Sequence, residues 1–278
     1  MSNNILVPTD FSECADFALE AALKICKKES AHLHLFHASD LTTSLEELNL
    51  DQNVVDKISG EISLNAKDKL EVRERLIQEE GVACTVHYEG GDFIGGMKHL
   101  LDSIDIELIV MGSHGKSGRR DWLMGTNTQK VVRKYHKNVL VIKEAPSEDM
   151  FSKVVFVSGL YEDDKEVFKK FLNFIETYDV QEVHILAINL LGWFNQPTIL
   201  MKELLEDFKN IASGFNCKTH FYSDYSVEAG IRHFVEEHDV SLIGISNQTR
   251  NPVKRIFLGS NVEMVVNNAR VPVLSLDN

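Results

Sequence analysis

Glycines and hydroxyls crowd residues 108 to 128, which read Leu-Ile-Val-Met-Gly-Ser-His-Gly-Lys-Ser-Gly-Arg-Arg-Asp-Trp-Leu-Met-Gly-Thr-Asn-Thr. Glycines at 112, 115, 118 and 125 let backbone amides approach an anion where a Cβ would interfere. Gly125-Thr126-Asn127-Thr128 has the composition of a helix start, and the amides of a helix N-terminus favour negative charge. Phosphate is the natural guest of such a turn. A second chemical group lies near the N-terminus, where Ile5-Leu-Val-Pro8 runs into Thr9-Asp10-Phe11-Ser12. Asp10 could accept from sugar hydroxyls; its plainer role is to cap the following helix, a job Ser12 could share.

Familiar phosphate motifs do not fit. Gly115-Lys116-Ser117 ends like a P-loop, but that loop needs glycine at position 110, where Val110 stands. The dinucleotide fingerprint Gly-x-Gly-x-x-Gly is missing after the first apolar run, because Pro8-Thr9-Asp10 occupies that turn. Ser113, His114 and Asp10 do not make a hydrolase triad without a Gly-x-Ser-x-Gly elbow. His32 and His34 fall on one face of a strand and His37 on the other, so the three do not form a zinc site.

Composition narrows the partners. The 278 residues carry a net charge of −13, which argues against a nucleic-acid surface, since polyphosphate backbones are held by basic patches. Hydrophobic residues at 44% and charged residues at 26% are ordinary for a globular chain. Cys14, Cys26, Cys84 and Cys217 lack zinc-ribbon spacing and suggest no disulfide framework. Met-Ser-Asn-Asn leads directly into a strand-like run, and no apolar run approaches the roughly 20 residues that span a bilayer. A soluble protein of the reducing cytoplasm, with no membrane partner, is the expectation.

The elements that must position these groups alternate. Strands are expected at Ile5 to Pro8, from His32, at Ala83 to Tyr88, Leu108 to Met111 and Val139 to Ile142. Helices are expected at Ala15 to Cys26, about Leu45 to Gln78, Ile94 to Leu101 and about Thr126 to Tyr135. Such alternation implies a parallel sheet covered on both faces. If the first and fourth strands are neighbours, Asp10 and the glycine turn converge beyond their carboxyl ends, where open α/β sheets bind ligands.

Pro146-Ser147-Glu148-Asp149 interrupts the order, and Lys153-Val-Val-Phe-Val restarts it. From there helices are expected at about Asp163 to Tyr178, Thr198 to Gly214, Ala229 to Glu237 and after Gly259. Strands are expected at Val183 to Ile188, Lys218 to Tyr222, Leu242 to Ile245 and Val271 to Leu276. Sliding the chain along itself superposes the segment from Gly96 to Ile109 on that from Gly230 to Ile243, Gly125-Thr126-Asn127 on Gly259-Ser260-Asn261, and Val139-Leu140 on Val273-Leu274. The chain therefore reads as a duplication, units 1–146 and 147–278, each an open, mostly parallel five-stranded sheet flanked by helices in the Rossmann-like manner. The second copy is shorter after its second strand. It is also eroded, with Ser158-Gly159 where Asp10 would fall and Ser246 and Thr249 in place of Gly112 and Gly115.

The spacing Gly112-x2-Gly115-x9-Gly125-Thr126 resembles the ATP-binding signature of the universal stress protein family. Pro8-Thr9-Asp10-Phe11-Ser12-Glu13 is similar to that family's first loop, Phe36-His37-Ala38 to the end of its second strand, and Met111-Gly-Ser-His-Gly-Lys to its phosphate loop. The resemblance covers both copies, strongly in the first and faintly in the second. It implies an adenine nucleotide, ATP or else ADP or AMP, in the first copy. Carried over by position, Asp10 in its loop with Pro8 and Thr9 would meet the ribose, and Ala38 the adenine through its backbone. Met111 and Gly112 would lie nearby, with His114, Gly115, Gly125, Thr126 and Asn127 around the phosphates. A magnesium ion could accompany a triphosphate, although no clustered carboxylates specify its ligands. The resemblance further implies a stress-response sensor or regulator, with the last strands of the two copies pairing within the chain; a homodimer of whole chains is left open. Slow ATP hydrolysis without an evident general base and a ligand-free interaction scaffold are the competing expectations.

Overall fold

The computed structural model describes residues 3–39, 52–113, 125–190, 198–247 and 261–277. The first half runs β1 (Asn4–Pro8), α1 (Glu13–Glu29), β2 (His32–Ser39), α2 (Gln52–Glu79), β3 (Cys84–Gly90), α3 (Phe93–Ser103), β4 (Leu108–Gly112), α4 (Thr126–Lys134) and β5 (Asn138–Ile142). The second repeats the order with β6 (Lys153–Val157), α5 (Glu162–Ile175), β7 (Glu182–Leu190), α6 (Thr198–Ile211), β8 (Cys217–Asp224), α7 (Val227–His238), β9 (Leu242–Ser246), α8 (Asn261–Asn268) and β10 (Val273–Leu276). α6, at 14 residues against 28 for α2, is the trimmed helix that the sequence leads one to expect.

The expected pair of five-stranded sheets is joined into one sheet of ten strands, ordered β3-β2-β1-β4-β5-β10-β9-β6-β7-β8. Pairing is parallel within each half. At the centre β10 lies antiparallel to β5, with Val273 opposite Val141, Leu274 opposite Leu140 and Ser275 opposite Val139. Central strands buried on both faces must be apolar throughout, and Ile5-Leu-Val and Val139-Leu-Val-Ile are almost wholly inaccessible.

Two cores flank the sheet. On one face Ile25, Leu33, Leu35 and Leu70 are continuous with Phe156, Phe168, Phe171 and Phe208. On the other, Leu6, Phe36, Met97, Ile109 and Val131 are continuous with Phe234, Ile243 and Val265. Both cores run through the two halves without a break, so the seam is itself interior. Arg133 of α4 forms an ion pair with the buried Glu263 of α8 across it. Asn247 Nδ2 donates to the Val132 carbonyl at 2.9 Å and Lys143 Nζ to the Asn267 carbonyl at 3.2 Å. Burial pulls the Lys143 amine down to about 8.

The four cysteines are free thiols. Burial pushes Cys26 and Cys84 up to about 12, far from the thiolate form that nucleophilic chemistry needs. Among the described residues no helix is long and apolar enough to cross a membrane.

Candidate functional site

The site begins where β1 ends. β1 and β4 are hydrogen-bonded neighbours, Ile5 opposite Leu108 and Leu6 opposite Ile109, so the β1–α1 loop and the end of β4 emerge side by side. Strand order reverses between them, which makes this the switch point of the first half. Thr9 is buried and tied to the neighbouring strand, its amide donating to the Phe36 carbonyl at 2.8 Å. His37 Nδ1 donates to the Thr9 carbonyl at 2.7 Å, and the Phe11 amide donates to Thr9 Oγ1 at 3.0 Å. Asp10, left at the tip, is exposed; one carboxylate oxygen accepts from the Ser12 amide at 3.0 Å.

Ser12, rather than Asp10, caps α1, accepting from the Ala15 amide at 3.3 Å. The turn forces Phe11 to a φ of +64°, a strained conformation for an aromatic residue that costs on the order of 1–3 kcal/mol and persists only where its surroundings hold it. Those surroundings are the His37 ring, 4.6 Å away centre to centre, and the Arg73 guanidinium, 5.0 Å from the Phe11 ring centre. Arg73 also lies 2.6 Å from Asp16 and 3.3 Å from Thr9 Oγ1, so α2 clamps the loop that carries Asp10. Sequence reasoning missed Arg73, because nothing local marks a charged helix residue as the brace of a distant loop.

Gly112 has a packing role that its sequence context did not disclose. A Cβ there would stand 2.3 Å from the Cys14 carbonyl oxygen and 2.8 Å from the Ala15 amide nitrogen, so only glycine lets β4 run against the first turn of α1. Met111 is buried in the core. Ser113 is buried too, and its Oγ accepts from the Gly125 amide at 3.3 Å, drawing the start of α4 back to the end of β4. Thr128 Oγ1 donates to the Gly112 carbonyl at 3.1 Å, a second tie. Gly125 is the N-cap of α4, and Thr126 and Asn127 are exposed in its first turn.

The start of α4 thus lies beside the end of β4, whose neighbour β1 leads into the Asp10 loop, and its first-turn amides carry the positive end of the helix dipole. Ala38 sits near the end of β2, opposite Glu89 of β3. Pro8, Thr9, Asp10, Met111, Gly112, Gly125, Thr126 and Asn127 are brought to one end of two adjacent strands. His114 and Gly115 lie outside the described residues, as do Lys116, Arg119, Arg120 and Trp122. Among the described residues no three potential metal ligands converge.

The second half builds the same turn and fills it differently. The Ser158 amide donates to the Leu186 carbonyl, the Leu160 amide to Ser158 Oγ, and Leu160 has a φ of +59°, matching Thr9 and Phe11. Gly159 replaces Asp10, and the Tyr161 ring lies against it, 2.3 Å from where a Cβ would be. The buried Asp164 carboxylate sits inside the turn, accepting from Ser158 Oγ at 2.8 Å and from the Gly159 and Tyr161 amides at 3.2 and 3.4 Å. The second turn's donors thus converge on one buried carboxylate, whereas Asp10 of the first turn stays exposed. Ser246 ends β9 where Gly112 ends β4. Thr249, Gly259 and Ser260 fall outside the described residues.

A model of the universal stress protein family matches residues 1–143 and 200–276, the first half of the sheet and the part of the second from α6 to β10. The chain belongs to the universal stress protein family. Universal stress protein MJ0577 of Methanocaldococcus jannaschii is 29% identical over 165 residues, covering 53% of this chain and 98% of that protein. Universal stress protein YxiE of Bacillus subtilis is 28% identical over 148 residues, covering 51% of this chain and 100% of its own length. Each relative therefore corresponds to about half of the sheet. A universal stress protein from Archaeoglobus fulgidus matches 100% of this chain with 99% of its own, at a TM-score of 0.77 and 21% identity, so the ten-stranded fold recurs as a whole.

Proposed function

We propose that this universal stress protein binds ATP or a related adenine nucleotide at the switch point of its first half and works as a stress-response sensor or regulator. In this reading residues 1–146 are the binding unit and 147–278 a partner unit that holds no nucleotide. Asp10 meets the ribose from a loop shaped by Pro8 and Thr9, and the Ala38 backbone meets the adenine beside Met111. Gly112, His114, Gly115, Gly125, Thr126 and Asn127 surround the phosphates. A magnesium ion arriving with a triphosphate would take its coordination from phosphate oxygens and water, since hard cations keep much of their hydration.

The observation that carries the reading is the contrast between two copies of one turn. Asp10 is presented at the tip of the first, whereas Asp164 sits within the second and takes up its donors. The test is titration of the full chain with ATP by calorimetry, alongside mass spectrometry of nucleotide released on denaturation. One site per chain, weakened at least tenfold by Asp10→Ala, is expected. Two equivalent sites, or binding indifferent to Asp10, would overturn the assignment.

A further inference from the structure

The two halves differ at one interior position whose consequence lies outside the nucleotide site. In the first half α4 is followed by Tyr135, whose amide donates to the Val131 carbonyl at 3.1 Å and whose hydroxyl donates to the Ile94 carbonyl at 2.6 Å. Its half-buried ring packs against the core on that face of the sheet. In the second half α8 is followed by Ala269, whose amide makes the equivalent bond to the Val265 carbonyl at 2.8 Å. Glu228 stands where Ile94 stands, and Ile243 where Ile109 stands. Alanine leaves the ring's place unfilled.

A cavity of about 490 Å³ lies there, floored by Ile231, Val235, Ile243, Val265 and Ala269, with Arg232 among the charged groups at its mouth. The floor residues are at most 9% exposed, and the rest of the lining is polar, with Glu228, His233, Glu236 and Arg270 beside Arg232. Such a cavity is within the ~300–1,000 Å³ range of small-molecule sites. Dry apolar cavities of only ~150 Å³ take up benzene, so this one has room for a substituted ring. The first half shows which chemistry suits the frame: an aromatic ring against the core, with a hydroxyl donating to a carbonyl of the facing helix. Ring burial of this kind is a large apolar gain, and the hydroxyl supplies orientation.

We infer that the cavity between α7 and α8 is a binding site for a small phenol-type aromatic molecule, occupying in the second half the place that Tyr135 fills in the first. The site is separate from the nucleotide reading and stands or falls without it.

The probe is 4-methylphenol, the tyrosine side chain as a free molecule, titrated into the full chain while the methyl resonances of Ile231, Ile243 and Val265 are followed. One molecule per chain, shifting these methyls at millimolar concentration or below and binding several-fold more tightly than toluene, is expected. Ala269→Tyr should weaken binding at least tenfold by supplying the ring covalently. Should that variant fail to fold, Ile231→Phe, which narrows the cavity from its other wall, serves the same purpose. Unmoved methyls, equal affinity for the narrowed variant, or equal affinity for toluene would each overturn the assignment.

Discussion

Acid should destabilise this protein through a pair of histidines hidden between strands. His34 on β2 and His87 on β3 share a hydrogen bond of 3.0 Å, and His34 is only 7% exposed. Asn4 Nδ2 donates to the Asp105 carbonyl, which turns Asn4 Oδ1 towards His34 Nε2 at 3.3 Å. That arrangement fixes the tautomers: His34 Nε2–H donates to Asn4, and His34 Nδ1 accepts from His87 Nε2–H. A proton added at His34 Nδ1 would set two donors face to face. Burial, helped by the charges of His32 and His87, lowers His34 from 6.5 to about 4, and His87 is lowered too.

The sign follows from which state binds more protons. Above about pH 6.5 neither the folded nor the unfolded His34 is charged, and stability is independent of it. Between about 6.5 and 4 the unfolded chain takes up the proton and the folded chain does not, so stability falls as pH falls, by up to ~1.4 kcal/mol per pH unit. At pH 5 the loss from His34 alone is about 2 kcal/mol, a sizeable part of the ~5–15 kcal/mol that a domain commands. The assay is urea unfolding of wild type and His34→Phe from pH 7.5 to 4.5. The variant should start less stable, having taken one hydrogen bond each from Asn4 and His87, yet lose stability more gradually, so that the two curves converge by about 2 kcal/mol near pH 5. Parallel curves would refute the argument. His184 and His220 form a matching pair at 2.9 Å in the second half, with His220 also lowered to about 4 by burial and by the neighbouring His184, His238 and Lys218. His220→Phe should flatten the profile in the same direction.

Three further outcomes follow from particular contacts. Gly112→Ala forces a methyl into the Cys14 carbonyl and should cost about 1–3 kcal/mol by urea unfolding, with nucleotide affinity falling as α1 is displaced. Arg133→Ala removes the ion pair that Arg133 makes with the buried Glu263 at the seam; because Arg133 itself is partly exposed, a cost of about 1–2 kcal/mol is expected, and no change in thermal midpoint would contradict it. Asp164→Ala leaves the Ser158, Gly159 and Tyr161 donors without their shared acceptor, so a loss of about 1–3 kcal/mol is expected, measurable by calorimetric unfolding.

Much of the fold was legible because the central strands are short apolar runs and Ser12 marks the start of α1. The halves superpose in sequence, which exposed the duplication, and the family resemblance implied the pairing of the last strands, seen between β5 and β10. Errors lie at boundaries. Helical spacing runs on to Tyr178, but α5 stops at Ile175 because the Tyr178 ring packs 4.0 Å from Phe151 and its hydroxyl reaches Glu29 of the first half. The last strand begins at Val273 rather than Val271, after Pro272, which has no amide hydrogen to give. The pairing of Asp10 with the glycine turn was readable once β1 and β4 were taken as neighbours. Arg73 and the two histidine pairs were not, since each depends on residues far apart in the chain, and the Asp164 plug was not because Glu162-Asp163-Asp164 does not mark which carboxylate turns inward. The histidine pairs also recur at offsets different from that of the glycine segments, so a single sliding comparison passes over them.

The antiparallel pair at the middle of the sheet makes the ratio of the two halves a matter of covalent chemistry. Two separate chains meeting along such a seam would come apart on dilution, and every change in one would appear in the other. Tethered copies face each other at an effective concentration that dilution does not touch. One copy can therefore surrender its turn to Asp164 and open a hole beside Ala269 while still lending its last strand to its neighbour. What looks like a worn repeat is half of an asymmetric machine whose parts cannot be mismatched.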